Sequence, residues 1–333
     1  MTKNMLTALL CFFMFIGTLT ACSFQKETTE TIRLAEVTRS IFYAPLYVAI
    51  EEGYFEKENL NIDLTTTWGG DKTMTSLLSD GSDVALVGAE TSIYVNSQEP
   101  AEPIINFAML TQSDGTFLMA REETAEEFDW EDLKGSTFLG QRKGGMPQMT
   151  GEFVLKKNGI DPHNDLDLIQ NIDFANIANA YASGTGEYVQ LFEPQATLFE
   201  QEGLGNIVAS FGEESSAVPY TVFMAKKSYL EENEDTAERF TRAIHKAQQW
   251  IYNSTPEEIA ESITPYFDDT PEGIIADAAK RYRDQESYAT TPVLTEEAWN
   301  NLQDIMDEAG ELPERSEYNE FVNNTWAENV MND

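Results

Sequence analysis

Aromatic residues and glycines stand where three strand-like runs of the sequence end, and these residue types suit ligand binding. The runs cover residues 32–37, 61–66 and 84–87. In open α/β sheets ligands sit beyond the carboxyl ends of the strands, and glycines there let backbone amides approach a ligand. Packing of a helix N-terminus would explain the two aromatics after the first run equally well. The ligand contacts predicted here are Phe42, Tyr43, Trp68, Gly69, Gly88, Glu90 and Thr91.

A second group of candidates surrounds the stretch GGMPQ, where a helix is predicted to begin near Pro147. The first turn of a helix carries N–H groups without an intrahelical partner, and these can bind a ligand. Glycines that serve only to turn the chain are the alternative. The residues predicted to face a cleft here are Gln141, Gly144, Gly145 and Met146.

Two further residues complete the predicted wall of the site. Tyr181 lies on a predicted helix, and Glu193 ends the run YVQLFE, just before Pro194. A carboxylate is also favoured in the first turn of a helix, where it meets the positive end of the helix dipole. The sequence therefore leaves Glu193 open between a ligand contact and a helix-start residue.

Motifs for catalysis or metal binding are missing from the sequence. It contains neither G-x-x-x-x-G-K-[ST] nor G-x-S-x-G, and its two histidines, His163 and His245, belong to no H-E-x-x-H. The acidic stretch around His163 suggests calcium, but Leu166 and Ile172 stand where an EF-hand loop needs glycine and glutamate. We expect no catalytic residue, no cofactor and no metal ion.

The elements that would position the candidates alternate between strands and helices. The segment 45–52, for example, has Pro45 in its first turn and Gly53 just past its end, as helices do. Alternation with short connections implies parallel strands with right-handed crossovers. The strand-like runs are residues 32–37, 61–66, 84–87, 104–110, 117–121, 137–139, 166–171, 188–192, 207–209 and 220–225.

The order of these runs predicts two α/β lobes. The chain would pass between them near residues 111–115 and again near residues 211–219. Two passages make a hinge, and a hinge between two lobes makes a cleft that can close. We expect residues 31–112 and 218–333 in lobe 1 and residues 113–217 in lobe 2.

The N-terminal segment predicts export and a lipid anchor. Residues 1–21 read as a signal peptide, because an apolar run follows Lys3 and is too short for a membrane span with its usual flanks. The sequence Leu19-Thr20-Ala21-Cys22 is a lipobox, so Cys22 is the predicted lipidated residue. Residues 22–30 lack apolar periodicity and read as a tether. The other cysteine, Cys11, would leave with the signal peptide.

The charge excludes one class of partner. A formal net charge of −37 repels nucleic acid, whose phosphates must be met by Lys and Arg. The acidity is typical of a solvated surface, and with 58 Asp and Glu residues close carboxylate pairs arise by chance. A hydrophobic fraction of 41% still indicates a globular chain.

Four segments carry a resemblance to a known family: FYAPLYVAIEEGYFEKENLNIDL, DVALVGAETSIY, DLKGSTFLGQRKGGMPQMTGEFVLKKNGID and GEYVQLFEPQA. In this order they resemble the solute-binding lipoproteins of ABC importers, in the branch that binds thiamine-precursor pyrimidines, sulfonates, taurine and nitrate. The resemblance implies a type 2 periplasmic-binding fold. It also implies a monomer on the extracytoplasmic face of the membrane that delivers a small solute to a permease and its ATPase. An enzyme or signalling receptor on the same fold is the alternative class, although the related thiamine-pyrimidine enzyme carries a cysteine cluster that this chain lacks.

The class of solute stays open at this point. A sulfonate or nitrate needs donors and often Arg or Lys, and Arg39, Arg142 and Lys143 lie near the predicted cleft. A heteroaromatic nitrogen compound needs stacking faces and a carboxylate that accepts from its amino group. Because aromatics and glutamates dominate the candidates, we favour an aminopyrimidine-like solute.

Overall fold

The computed structural model describes residues 29–122 and 128–332. The predicted signal peptide, the lipidation site Cys22 and most of the predicted tether lie outside the described residues. Glu30, the last residue assigned to the tether, already begins the first strand and pairs with Leu60.

All ten strand-like runs of the sequence form strands, with ends that differ by at most two residues from those predicted. Short apolar runs bounded by polar or turn-forming residues account for this agreement. The strands are β1 (Glu30–Glu36), β2 (Leu60–Thr66), β3 (Val84–Gly88), β4 (Ile104–Thr111), β5 (Thr116–Ala120), β6 (Thr137–Leu139), β7 (Asp167–Ile169), β8 (Tyr188–Phe192), β9 (Asn206–Ser210) and β10 (Thr221–Lys226).

The strands form two five-stranded sheets, in the orders β2-β1-β3-β10-β4 and β7-β6-β8-β5-β9. The prediction of parallel strands holds for β1 with β2 and β3, and for β6 with β7 and β8. It is wrong for β10 and β5, each of which is antiparallel to both of its neighbours. These two strands enter their sheets directly from the other sheet, so they run in the opposite direction.

The helices cover the sheets and follow ordinary start signals. Pro45 lies in the first turn of α1, as predicted, and Thr255 and Glu258 form a capping box at the start of α11. In order, the helices are α1 (Ala44–Glu51), α2 (Tyr54–Lys57), α3 (Gly70–Leu78), α4 (Glu90–Asn96), α5 (Met146–Lys157), α6 (Ile177–Ala182), α7 (Gln195–Gln201), α8 (Phe211–Glu214), α9 (Lys227–Glu232), α10 (Glu234–Asn253), α11 (Pro256–Ile263), α12 (Glu272–Asp284), α13 (Glu296–Glu308), α14 (Tyr318–Phe321) and α15 (Thr325–Asn332).

The connection between the two sheets is packed with aromatic rings. The ring of Phe42 lies 5.7 Å from that of Phe192, 5.5 Å from that of Tyr220 and 5.1 Å from that of Tyr282. Gly115 sits between β4 and β5, and a Cβ there would come within 2.6 Å of the Phe42 ring. The first passage between the sheets therefore needs glycine at this position.

Helix α12 contacts helices that pack on both sheets. It packs against α11 on one side and against α7 on the other. The Tyr282 hydroxyl donates to the Gly115 carbonyl at 2.8 Å and accepts from the Glu193 N–H at 3.0 Å. The α12 helix thus joins the C-terminal part of the chain to the second sheet.

Candidate functional site

A cavity of about 250 Å³ lies between the two sheets, at the carboxyl ends of β1, β2 and β3. Its wall is mainly apolar, and it receives residues from both sides of the cleft. Ten of the predicted ligand contacts line it: Phe42, Tyr43, Gly69, Gly88, Glu90, Thr91, Gln141, Gly144, Gly145 and Met146. The structure thus brings together residues from both predicted groups.

The short turn after β1 places two aromatics in the wall. Ser40 accepts a hydrogen bond from the Phe42 N–H at 3.2 Å and so caps a 3₁₀ turn over Ile41–Tyr43. Phe42 and Tyr43 are both almost fully buried, yet both contribute to the cavity. The two sequence interpretations, packing and cavity wall, therefore apply together to these residues.

Glu90 brings a carboxyl group into this apolar surrounding. It begins α4, and its side chain is 4% exposed. Burial raises the pKa of Glu90 to about 8, while the backbone amides of Glu90, Met146 and Thr91 act in the opposite direction. A Cβ on Gly88 would come within 2.1 Å of Glu90 Oε2, so this position needs glycine to leave room for the carboxyl group.

Hydrogen bonds of two glutamine side chains fix the loop that forms the cavity wall on the side of the second sheet. Gln141 donates through Nε2 to the Gln190 carbonyl at 2.7 Å, and the Gly144 N–H donates to Gln148 Oε1 at 3.0 Å. Met146 opens α5, as the sequence predicts. These bonds fix the loop that carries GGMPQ against the second sheet.

Three predicted contacts do not line the cavity. Trp68 adopts the left-handed conformation with φ 60°, and its side chain, 57% exposed, lies at the surface beside Gly69. Tyr181 is buried, with its ring under the Arg121 guanidinium at 4.1 Å and stacked near Phe199. Trp68 was expected to face the cleft because it follows β2 beside two glycines, and Tyr181 was expected there on its predicted helix, but local conformation and packing place both elsewhere.

Glu193 is the third of these residues, and an ion pair holds it away from the cavity. Its Oε1 lies 2.7 Å from Arg281, and its carboxylate also accepts from the Thr197 N–H and hydroxyl, both at 2.9 Å. Burial raises the pKa of Glu193, and Arg281 lowers it. The sequence left Glu193 open between a ligand contact and a helix-start residue. Its hydrogen bonds from Thr197, in the first turn of α7, favour the helix-start interpretation.

Several aromatic residues of the cavity are not among the contacts predicted from the sequence. Tyr94 stands four residues after Glu90 on α4, so helical spacing could have found it. No local sequence pattern indicated Phe192 or Tyr220 as a cavity residue. Phe192 precedes the predicted Glu193, and Tyr220 precedes β10, the strand that returns to the first sheet. The missed aromatic residues are Tyr94, Phe174, Phe192 and Tyr220.

The positive charges near the cleft differ in their surroundings. Arg39 does not line the cavity, because its Nε lies 3.1 Å from Glu36 and its guanidinium covers the Tyr266 ring at 4.9 Å. Arg142 lines the mouth of the cavity and lies 3.5 Å from Asp71 across the cleft, with both side chains exposed. Lys143 is also exposed at the mouth.

Comparison with known proteins gives the family of the chain. Residues 41–259 match the family model described as NMT1/THI5 like. The chain belongs to this family. It is 63% identical over 322 residues to YtlA of Bacillus subtilis (strain 168), which is named as a candidate binding protein; the match covers 97% of this chain and 95% of YtlA.

Solved structures show the same fold at low sequence identity. The alkanesulfonate-binding protein SsuA from Xanthomonas axonopodis pv. citri superposes with a TM-score of 0.71 at 14% identity, covering 90% of this chain and 99% of SsuA. The desulfurization enzyme DSZB superposes with a TM-score of 0.63 at 12% identity, covering 91% of this chain and 99% of DSZB. This protein therefore has the periplasmic-binding fold that the sequence resemblance implied.

Across residues 29–122 and 128–332, no helix combines the length and the apolar character that a membrane crossing requires.

Proposed function

We propose that this protein is the extracytoplasmic solute-binding component of an ABC importer and captures a small heteroaromatic nitrogen compound, such as an aminopyrimidine. One observation carries the proposal: the cavity between the sheets is walled by six aromatic residues and contains a buried carboxyl group, Glu90. Aromatic faces stack on a flat ring, and a carboxyl group accepts from ring or amino N–H groups. The names of YtlA and SsuA support a binding role.

The position of the cavity supports capture by closure. Arg142 and Asp71 meet across its mouth, and the Met146 amide of α5 acts on the Glu90 carboxyl of α4. A solute that touches both sides would favour the closed form, since both walls are in reach only there. Small-angle scattering should therefore show compaction when a saturating solute is added.

The first experiment identifies the solute. Native mass spectrometry of freshly purified protein should reveal a retained heteroaromatic compound, which the cavity releases on denaturation. Conversion of that compound into a product by the purified protein would contradict the binding role. It would favour an enzymatic role, since DSZB, which has the same fold, is named as an enzyme.

A matched pair of variants tests the stacking wall. Phe174 lines the cavity and is 40% exposed, so Phe174→Ala should fold normally but lose a stacking face worth about 0.5–1.5 kcal/mol. The dissociation constant for the retained compound should then rise roughly 2- to 10-fold. Leu78→Ala removes an equally exposed apolar side chain that does not line the cavity, and it should leave binding unchanged.

A sulfonate or nitrate-like anion is the second candidate, because SsuA is an alkanesulfonate-binding protein and Arg142 and Lys143 line the mouth. In that case Arg142→Ala alone should abolish binding. If Arg142→Ala and Lys143→Ala each leave the affinity within a factor of two, the anion is excluded and the heteroaromatic solute is retained.

We also place the protein on the membrane through a lipid on Cys22, near its permease. The lipobox motif Leu19-Thr20-Ala21-Cys22 supports this anchor.

A further inference from the structure

The Glu90 carboxyl group lies in the cavity wall without a complete set of partners. Among the described residues, no group hydrogen-bonds to its Oε2, although this atom is shielded from solvent. A buried carboxyl oxygen without a hydrogen-bond partner is costly in a folded protein and calls for an explanation. The solute is the natural source of the missing partner, since Glu90 lines the space that the solute would fill.

Three backbone amides lie close enough to the Glu90 carboxyl group to lower its pKa. Those of Glu90 and Thr91 belong to the first turn of α4, and that of Met146 begins α5 on the other side of the cleft. Amides at helix N-termini are the groups that an anionic solute would use in this fold. Here the Glu90 side chain takes the position of such an anion.

Positive countercharges are absent from the immediate surroundings of Glu90. In the described ranges no Lys, Arg or His forms an ion pair with it; Arg142 lies beside Asp71, and Arg39 lies beside Glu36. The other elements packed against Glu90 present the hydroxyls of Tyr43, Tyr94 and Tyr220, whose pKa values are raised mainly by burial and further by the charge of Glu90. The site therefore combines a carboxyl group with aromatic faces, and such faces attract cations.

We propose that Glu90 is the specificity-determining residue of the cavity: it selects solutes that present a positively charged or N–H-donating nitrogen, and a permanent cation binds with loss of the Glu90 proton. This inference rests on the proposed function, because it assumes that the cavity binds a solute. Burial raises the pKa of Glu90 to about 8, so the carboxyl group holds its proton at neutral pH until a cation replaces it. A neutral aminopyrimidine can share that proton, and it then binds without net proton release.

The test compares a cation and an anion of similar size. We choose 4-amino-1-methylpyridinium, whose charge does not depend on pH, and benzenesulfonate, measured by calorimetry with the full protein from pH 6 to pH 9. The affinity for the pyridinium should rise by up to tenfold per pH unit and level off above a pH of about 8. Calorimetry at pH 7 in two buffers with different ionisation enthalpies should show release of close to one proton.

A variant assigns the effect to Glu90. Glu90→Gln keeps the shape of the side chain but cannot ionise, so the pH dependence should vanish and the affinity for the pyridinium at pH 8 should fall at least tenfold. Glu58→Gln is the control, because Glu58 pairs with Arg242 and Lys246 away from the cavity. That variant should retain the pH dependence of the native protein.

Three results would overturn the inference: no measurable pyridinium binding, pyridinium binding that ignores pH, or a pH dependence that survives Glu90→Gln. Benzenesulfonate binding that tightens as the pH falls would overturn it as well, since a protonated Glu90 would then donate to an anion. Each of these four results would contradict the role of Glu90 but would leave the proposed solute-binding function intact. Failure of the proposed function is recognised separately, by the absence of any retained solute in native mass spectrometry.

Discussion

The ion pair between Glu193 and Arg281 provides a sharp test of how the two halves of the molecule are joined. Arg281→Met keeps an apolar stem on α12 but removes the guanidinium that lies 2.7 Å from Glu193 Oε1. Glu193 is 1% exposed, so its charge would be left buried with Thr197 as its remaining hydrogen-bond partner at the carboxylate. Removing one partner of a buried pair is far more damaging than removing both.

The magnitude follows from these contacts. Breaking a buried pair from one side costs about 3–5 kcal/mol. Because Arg281 is 30% exposed and Thr197 still donates twice, we expect the lower end, about 3 kcal/mol, in the free energy of unfolding. Glu193→Gln combined with Arg281→Met removes the stranded charge, so the double variant should be more stable than Arg281→Met alone.

Urea unfolding at pH 7 of the native protein, both single variants and the double variant gives the coupling energy, which we expect between about 1 and 3 kcal/mol. Lys280→Met is the control, since Lys280 pairs with Asp284 on the exposed face of the same helix, and its loss should cost about 0.5 kcal/mol or less. Additive effects of the two single changes would refute the reasoning, as would a loss below about 1 kcal/mol for Arg281→Met.

Three further predictions concern stability, the anchor and the rim of the cavity. Because the pKa of Glu90 is about 8 in the folded protein and ordinary in the unfolded chain, the folded form holds an extra proton between about pH 4.5 and pH 8, and the free energy of unfolding falls as pH rises through this window. Urea unfolding of the native protein at pH 5.5 and pH 7.5, measured relative to Glu90→Gln, should show a loss of up to about 1.4 kcal/mol per pH unit. A difference between the two proteins that stays constant with pH would contradict the assignment. Cys22→Ala should abolish lipid labelling and leave a protein that is either retained as the precursor or lost from the membrane fraction, whereas unchanged labelling would disprove the anchor. Trp68→Gly should relieve left-handed strain of about 1–2 kcal/mol against a glycine entropy cost of about 0.5–1 kcal/mol, so the variant should be at least as stable as the native protein. Because Trp68 does not line the cavity, solute binding should be unchanged, and weaker binding would return Trp68 to the site.

The strands and the cavity-facing loops could be predicted because their signals are local. An apolar run such as residues 104–111 is buried along its whole length, and glycines or proline mark the start of α3 and α5. The exits of parallel strands meet at one edge by geometry alone, which explains why Tyr43 and Gly88 were found together. Local pattern and fold class were sufficient for these residues.

The errors have non-local causes. Glu193 does stand at the exit of β8, but Arg281, 88 residues further along, captures its carboxylate. The antiparallel direction of β10 depends on where the chain returns, which no run of residues encodes. Tyr220 and Phe192 become cavity walls only because both pack on Phe42 across the two passages. Such contacts depend on the assembled fold.

The place of β10 in the first sheet has a consequence for the order in which the protein is made. This strand lies between β3 and β4, which are therefore not direct neighbours, so the first sheet stays split until residue 226 has been synthesised. The second sheet is complete at residue 210 and needs only a continuous stretch of chain. Because domains fold as units during synthesis and long-range pairings form late, the lobe encoded in the middle should mature before the one that contains the N-terminal strand. A fragment that ends at residue 217 would therefore hold every strand of the second sheet beside an unfinished first one.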